Sequence, residues 1–89
     1  MAIKIAMIGA GSVGFTRRLI ADILTVPELH DTEFVLTDIS KRNLDMVRKL
    51  VERDVEANGV PATIRATLNR REAVRDANYV FSTVRVGGL

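Results

Sequence analysis

"IGAGSVGFTRRLI", Ile8–Ile20, is the stretch on which the fold turns. Glycines at 9, 11 and 14 form a G-x-G-x-x-G string, which is loose on its own and takes its meaning from what flanks it. Before it, Ile3–Ile8 is an apolar run broken by one lysine, the pattern of a strand buried on both faces of a parallel sheet. After it, apolar residues recur at helical spacing through Val13, Leu19, Ile20, Ile23 and Leu24 until Pro27 forbids further helix. Strand, glycine turn and helix follow one another directly.

Phe34–Asp38, "FVLTD", reads as a second strand ending in an acid. Ser40 is a good N-cap for a helix whose buried stripe is Leu44, Val47, Val51 and Val55, with Asn58-Gly59 as its left-handed stop. Ala62–Leu68 alternates like a third strand, and Asn69 with Glu72 forms a capping-box pattern opening a short helix to about Asp76. Tyr79–Val84 is the fourth strand. The order β-α-β-α-β-α-β with short connections predicts a Rossmann-type α/β fold: a parallel sheet in the order 3-2-1-4 with helices on both faces. In that arrangement the glycine turn and the "STVRVGG" turn, Ser82–Gly88, face each other across the switch point.

In folds of this kind a dinucleotide binds at that point. Gly9 permits the tight turn, Gly11 lets a pyrophosphate reach the backbone, and Gly14 lets the helix pack close to the sheet. The backbone of Gly9, Ala10, Gly11, Ser12, Val13 and Gly14 is therefore the predicted phosphate cradle, its free N–H groups at a helix N-terminus. Asp38 follows the last glycine by slightly more than the usual spacing of about 20 residues, the excess lying in the "LTVPELHDTE" connection. An acid there accepts from the adenosine ribose hydroxyls and repels a 2′-phosphate, favouring NAD over NADP, with Lys41 and Arg42 near enough to soften the preference. Arg85, and more weakly Ser82 and Thr83, sit where open α/β sheets place ligand contacts. Arg17, Arg18 and the lone His30 read as surface residues.

Composition narrows the classes. The 89 residues are 47% apolar and 27% charged, an ordinary globular balance for one small domain. Thirteen basic and eleven acidic residues are interleaved, and with one Tyr, three Phe and no Trp there is no stacking surface for nucleic acid. No apolar run approaches a membrane span and no signal peptide opens the chain, which predicts a cytoplasmic protein. The absence of cysteine rules out disulfides and thiolate metal sites within these residues.

"GAGSVGFTRRLI", "LTDIS" and "DANYVFSTVRVGGL", in this order, resemble the N-terminal portion of family 4 glycoside hydrolases, nearest to their α-galactosidase/α-glucosidase branch. The resemblance runs through the whole chain, and its most specific parts are Ser12 after the second motif glycine with Phe15 and Thr16 following, and the "VRVGGL" ending, a string that a generic Rossmann domain has no reason to carry. Gly14 completes the dinucleotide pattern where many relatives have another residue.

The resemblance implies an NAD- and Mn-dependent glycosidase, an exception to two-carboxylate hydrolysis. In that family hydride leaves C3 of the sugar to NAD⁺, a tyrosine base takes the acidified C2 proton, the glycosidic oxygen is eliminated, water adds, and hydride returns, with the metal polarising the sugar oxygens, and the resemblance implies the same here. It places Asp38 at the adenosine ribose and Thr83, Val84 and Arg85 along the cofactor. The metal ligands and the base are implied to come from later in the protein; Tyr79 begins a strand at the wrong end. Residues 1–89 are thus expected to be the first part of a dinucleotide-binding domain, inactive alone, from an enzyme that takes small glycosides and is a homo-oligomer when full-length. Two other readings share the glycine motif: an NAD-dependent 2-hydroxy-acid dehydrogenase of the malate or lactate type, and a non-enzymatic nucleotide-sensing domain.

Overall fold

A computed structural model of the chain describes residues 3–82. Its elements are β1 (Lys4–Ile8), α1 (Val13–Ile23), a 3₁₀ turn (Pro27–Leu29), β2 (Glu33–Thr37), α2 (Lys41–Asn58), β3 (Thr63–Ala66), α3 (Arg70–Val74) and β4 (Tyr79–Ser82). The four strands form one sheet in the order β3-β2-β1-β4, every pair parallel, as the succession of elements requires. The predicted order 3-2-1-4 is the observed one.

The side-chain alternation of the two central strands divides the interior. Ile5 and Met7 of β1 and Phe34 and Leu36 of β2 join Ile20 of α1 and Leu44, Val47, Val51 and Val55 of α2 in the main core. The intervening Ala6 and Val35 are also fully buried and point to the other face, where α3 packs on β1 and β2 through the buried Ala73. Small side chains there let a five-residue helix lie close to the sheet.

Helix ends follow local chemistry. Ser40 Oγ accepts from the Asn43 N–H at 3.2 Å, and Gly59, at φ 64°, closes α2 in the left-handed conformation. Asn69 Oδ1 likewise accepts from the Glu72 N–H at 3.1 Å. The capping box is only half formed, because the Asn69 N–H donates to Thr67 Oγ1 at 3.0 Å instead of to Glu72. α3 stops at Val74, short of Asp76, since Arg75 is extended and Asp76 takes a positive φ of 58°. α1 ends at Ile23 with Leu24 as its C-cap, where 3₁₀-type bonds from Thr25 to Asp22 and Val26 to Ile23 tighten the chain before Pro27. β3 is shorter than the alternation in 62–68 predicts and is half exposed, as suits the outer strand.

The lysine inside the first strand has a structural reason. Its Nζ donates to the carbonyls of Arg75 at 2.6 Å and Glu72 at 3.5 Å, closing the C-terminal end of α3, while its backbone exchanges two hydrogen bonds of 2.8 Å with Asn78. Phe34 is fully buried at the centre of the sheet, so Phe34→Ala is expected to cost about 3–5 kcal/mol, most of the stability of so small a unit. Met46→Ala on the exposed side of α2 should stay within about 0.5 kcal/mol; denaturant melts of the full chain check both.

Candidate functional site

Register brings the site together. Ile8 pairs with Thr37 on one side and with Ser82 on the other, so β1, β2 and β4 end level with one another. The glycine turn leaves from the middle of this row. Gly9, at φ 80°, makes the reversal that a Cβ would oppose. The Thr37 carbonyl then accepts from the N–H groups of both Gly9 and Ala10 at 3.0 Å. On the other side the fully buried Thr16 donates its hydroxyl to the Ala10 carbonyl at 2.9 Å. The turn is therefore fixed from β2 and from α1 together.

Asp38, one residue past β2, reaches across to it. Its Oδ2 accepts from the Gly11 N–H at 2.7 Å and its Oδ1 from the Ser40 N–H at 2.9 Å, distances typical of charge-assisted bonds. Beside this carboxylate lies a cavity of about 390 Å³, lined by Gly9, Asp38, Ser40, Asn43, Ile39, Leu68 and Arg70 among others. Its size and mixed lining suit part of a small ligand. Ile39 is 95% exposed, an apolar side chain standing at the rim where the helical stripe of α2 has not begun.

The three helices differ at their N-termini. Ser40 and Asn69 cap α2 and α3 with their side chains, whereas Ser12, the N-cap of α1, makes no side-chain cap bond. Among the described residues, the first amides of α1 thus have no side-chain cap, beside the positive end of the helix dipole.

Sequence-predicted residues fall as follows. Gly9, Ala10, Gly11, Ser12, Val13 and Gly14 form the turn and the start of α1, with Asp38 against them. Gly14 differs from expectation: it is exposed, and among the described residues no atom comes within 4 Å of a Cβ built there, so it is not a close helix–sheet contact. Ser82 ends β4 beside Ile8, while Thr83, Val84 and Arg85 lie outside the described residues. Arg17 is exposed as predicted but not idle, holding both Asp54 carboxylate oxygens at 2.9 Å and joining α1 to α2. The hydrogen bond to Asp54, and then its charge, push the Arg17 guanidinium above its ordinary pKa, so it stays charged at every working pH. Arg18 and His30 line a larger hollow of about 820 Å³ on the α1–α2 side, away from the strand ends. Ile39, Asn43, Leu68 and Arg70 are the lining residues that spacing alone did not single out; the signal for Ile39 was an apolar residue directly after the acid.

The matches to known proteins agree with this geometry. The model of the family described as family 4 glycosyl hydrolase matches residues 4–89. The chain belongs to the family 4 glycosyl hydrolases. An α-galactosidase of Rhizobium meliloti (strain 1021) is 57% identical over 86 residues, 97% of this chain and 18% of that protein. The 6-phospho-β-glucosidase of Thermotoga maritima, solved with manganese, NAD⁺ and glucose-6-phosphate, superposes with a TM-score of 0.81 at 30% identity, over 97% of this chain and 20% of the other. A malate dehydrogenase of Cryptosporidium parvum has the same fold, with a TM-score of 0.70 and 28% identity over 97% of this chain and 26% of its own. The fold is thus shared with a malate dehydrogenase, whereas the matching family model is that of the family 4 glycosyl hydrolases. The chain spans about a fifth of the length of the curated relatives it matches.

Thr16 tests how the turn is held. Thr16→Val keeps the shape but leaves the buried Ala10 carbonyl without its donor, an expected loss of about 1–3 kcal/mol in chemical denaturation that Thr16→Ser restores.

Proposed function

We propose that this chain is the N-terminal, cofactor-binding part of a glycosidase that cleaves α-glycosides by redox elimination and addition, with NAD as the resident cofactor. The observation that carries the reading is the Asp38 carboxylate fixed at the edge of the cavity beside the glycine turn. With its oxygens as hydrogen-bond acceptors, it suits a ribose diol and opposes a 2′-phosphate. The amides of Val13, Gly14 and Phe15, with no side-chain cap from Ser12, suit a pyrophosphate. Ile39 and Leu68, both exposed and apolar, suit the faces of an adenine ring. By the family resemblance, Thr83, Val84 and Arg85 would extend the same site towards the nicotinamide.

When bound, the cofactor would supply a hydride acceptor and donor for the sugar. What this chain's residues do is bind and orient: the turn and helix hold phosphates, and Asp38 holds the ribose. Manganese belongs to the same reading through the relatives, but among the described residues no group of three or more His, Cys, Asp or Glu is placed to hold a metal, so no metal step is assigned to them. Residues 1–89 would then form the first part of the dinucleotide-binding domain, and the remaining chemistry would come from chain beyond it. The reading carries with it a cytoplasmic enzyme acting on small glycosides and not on nucleic acid, a homo-oligomer when full-length. Among the described residues no helix is long and apolar enough to cross a membrane. The exposed Tyr79, Val80 and Phe81 of β4 offer apolar surface for further chain or a second subunit to cover.

Two measurements test the proposal. Calorimetric titration of the full-length enzyme should show NAD⁺ binding, with NADP⁺ weaker by about tenfold or more, and Asp38→Ala should weaken NAD⁺ by about tenfold. No binding of NAD⁺ would sink the reading. Hydrolysis of an aryl α-glycoside by the full-length enzyme should require NAD⁺, whereas residues 1–89 alone should give none.

A further inference from the structure

The second glycine of such a turn is ordinarily explained by the ligand, since a Cβ would block the pyrophosphate. Here the crowding comes from the protein itself. A Cβ built at Gly11 would stand 2.7 Å from Asp38 Oδ2, 2.9 Å from its Cγ and 3.1 Å from Asn43 Cβ. The first two distances are shorter than real Cβ contacts, and the third requires a shift of a few tenths of an ångström.

We propose that Gly11 is a positioning residue for coenzyme choice: its N–H, and the space where a Cβ would be, hold the Asp38 carboxylate in the one place that accepts a ribose diol and refuses a phosphate. The proposal rests on the dinucleotide reading of the cavity. Asp38 has little freedom to give way. Its backbone follows Thr37, whose carbonyl is held by Gly9 and Ala10, and its other oxygen is held by the Ser40 N–H. A side chain at position 11 is accommodated only by rotating the carboxylate away from the Gly11 N–H, and with it from Ser40 or from the cavity edge.

What remains once the carboxylate is displaced favours an anion. Asp38 lies just before α2, so the space it leaves is at the positive end of that helix, with the exposed Lys41 and Arg42 in the first turn. The fixed carboxylate is what outweighs these charges. Gly11→Ala should therefore do more than weaken cofactor binding. It should shift the preference towards NADP⁺, whereas a clash with the pyrophosphate alone would weaken NAD⁺ and NADP⁺ equally, because both carry the same pyrophosphate.

The experiment has two arms on the full-length enzyme. In the first, NAD⁺ and NADP⁺ dissociation constants are measured for the wild type and Gly11→Ala, and the ratio Kd(NADP⁺)/Kd(NAD⁺) is expected to fall about tenfold. An unchanged ratio, with the wild type discriminating, overturns the proposal. In the second, thermal unfolding without cofactor is compared for Gly11→Ala, Asp38→Ala and the double variant. Gly11→Ala should lower Tm in the wild-type background and much less when Asp38 is already alanine. An equal loss in both backgrounds overturns the contact. Should Gly11→Ala not fold, recovery of a folded protein by adding Asp38→Ala supports the proposal, and failure to recover overturns it. If the wild type binds neither nucleotide, the cofactor reading and the coenzyme role fall together, while the cofactor-free cycle still shows whether Gly11 is glycine on account of Asp38.

Discussion

Two backbone N–H groups, from Gly11 and Ser40, converge on the Asp38 carboxylate, and the shape of the whole strand-end region depends on that convergence. Gly11 belongs to the β1–α1 turn and Ser40 to the β2–α2 turn, so one short side chain ties together two connections distant in sequence. Thr37 adds two more bonds through its carbonyl to Gly9 and Ala10. The glycine turn is thus shaped by β2 at least as much as by its own residues. A turn of glycines and small residues has many conformations open to it in isolation, and external bonds of this kind select one of them.

The parallel sheet makes the convergence possible. Parallel strands joined by right-handed crossovers send every connection from their C-terminal ends into a helix, and the register places Ile8, Thr37 and Ser82 side by side. Helix N-termini gather at the same end as a result. Two of them are capped by the side chains of Ser40 and Asn69, whereas among the described residues that of α1 has no side-chain cap. The difference lies in the N-cap residue's geometry and not its type, since Ser12 and Ser40 are both serines. Ser40 is extended, with ψ 107°, and turns its hydroxyl back onto Asn43, whereas Ser12 sits at ψ 88° in a turn already held by other bonds.

Much of the fold was legible because its signals are local. The apolar run of Ile3–Ile8, the stripe from Leu44 to Val55, the Asn58-Gly59 stop and the order of elements each follow from one segment read alone, and the strand order follows from the crossover rule. What was not legible depends on contacts between segments. The role of Lys4 at the end of α3 required knowing that α3 packs beside β1, and the Arg17–Asp54 pair required the packing of α1 on α2. Gly14 was misread because a motif assigns a role to a position, whereas close packing depends on which side of α1 that position faces, and Gly14 faces outward. The acid at 38 and the glycine at 11 were both singled out, yet spacing gives no sign that they touch. Ile39 could be suspected from its place after the acid; Asn43, Leu68 and Arg70 enter the cavity only through the folded geometry.

The way Asp38 is held also bears on what kind of chemistry this part of a glycosidase can contribute. Hydrolysis by paired carboxylates needs one of them protonated, raised in pKa by burial or by its neighbour, so that it can act as an acid. Asp38 is held otherwise: each of its two carboxylate oxygens accepts one backbone N–H, from Gly11 and from Ser40. Asp54 and Glu52 are ion-paired with Arg17 and Arg48, and both pairs lie on exposed helix faces. A carboxylate fixed between two turns is well suited to gripping hydroxyl groups. On the proposed reading its place would be to hold a polyhydroxylated ligand still, and a cofactor with a ribose diol would be the ligand that the adjoining α1 N-terminus and glycine turn take.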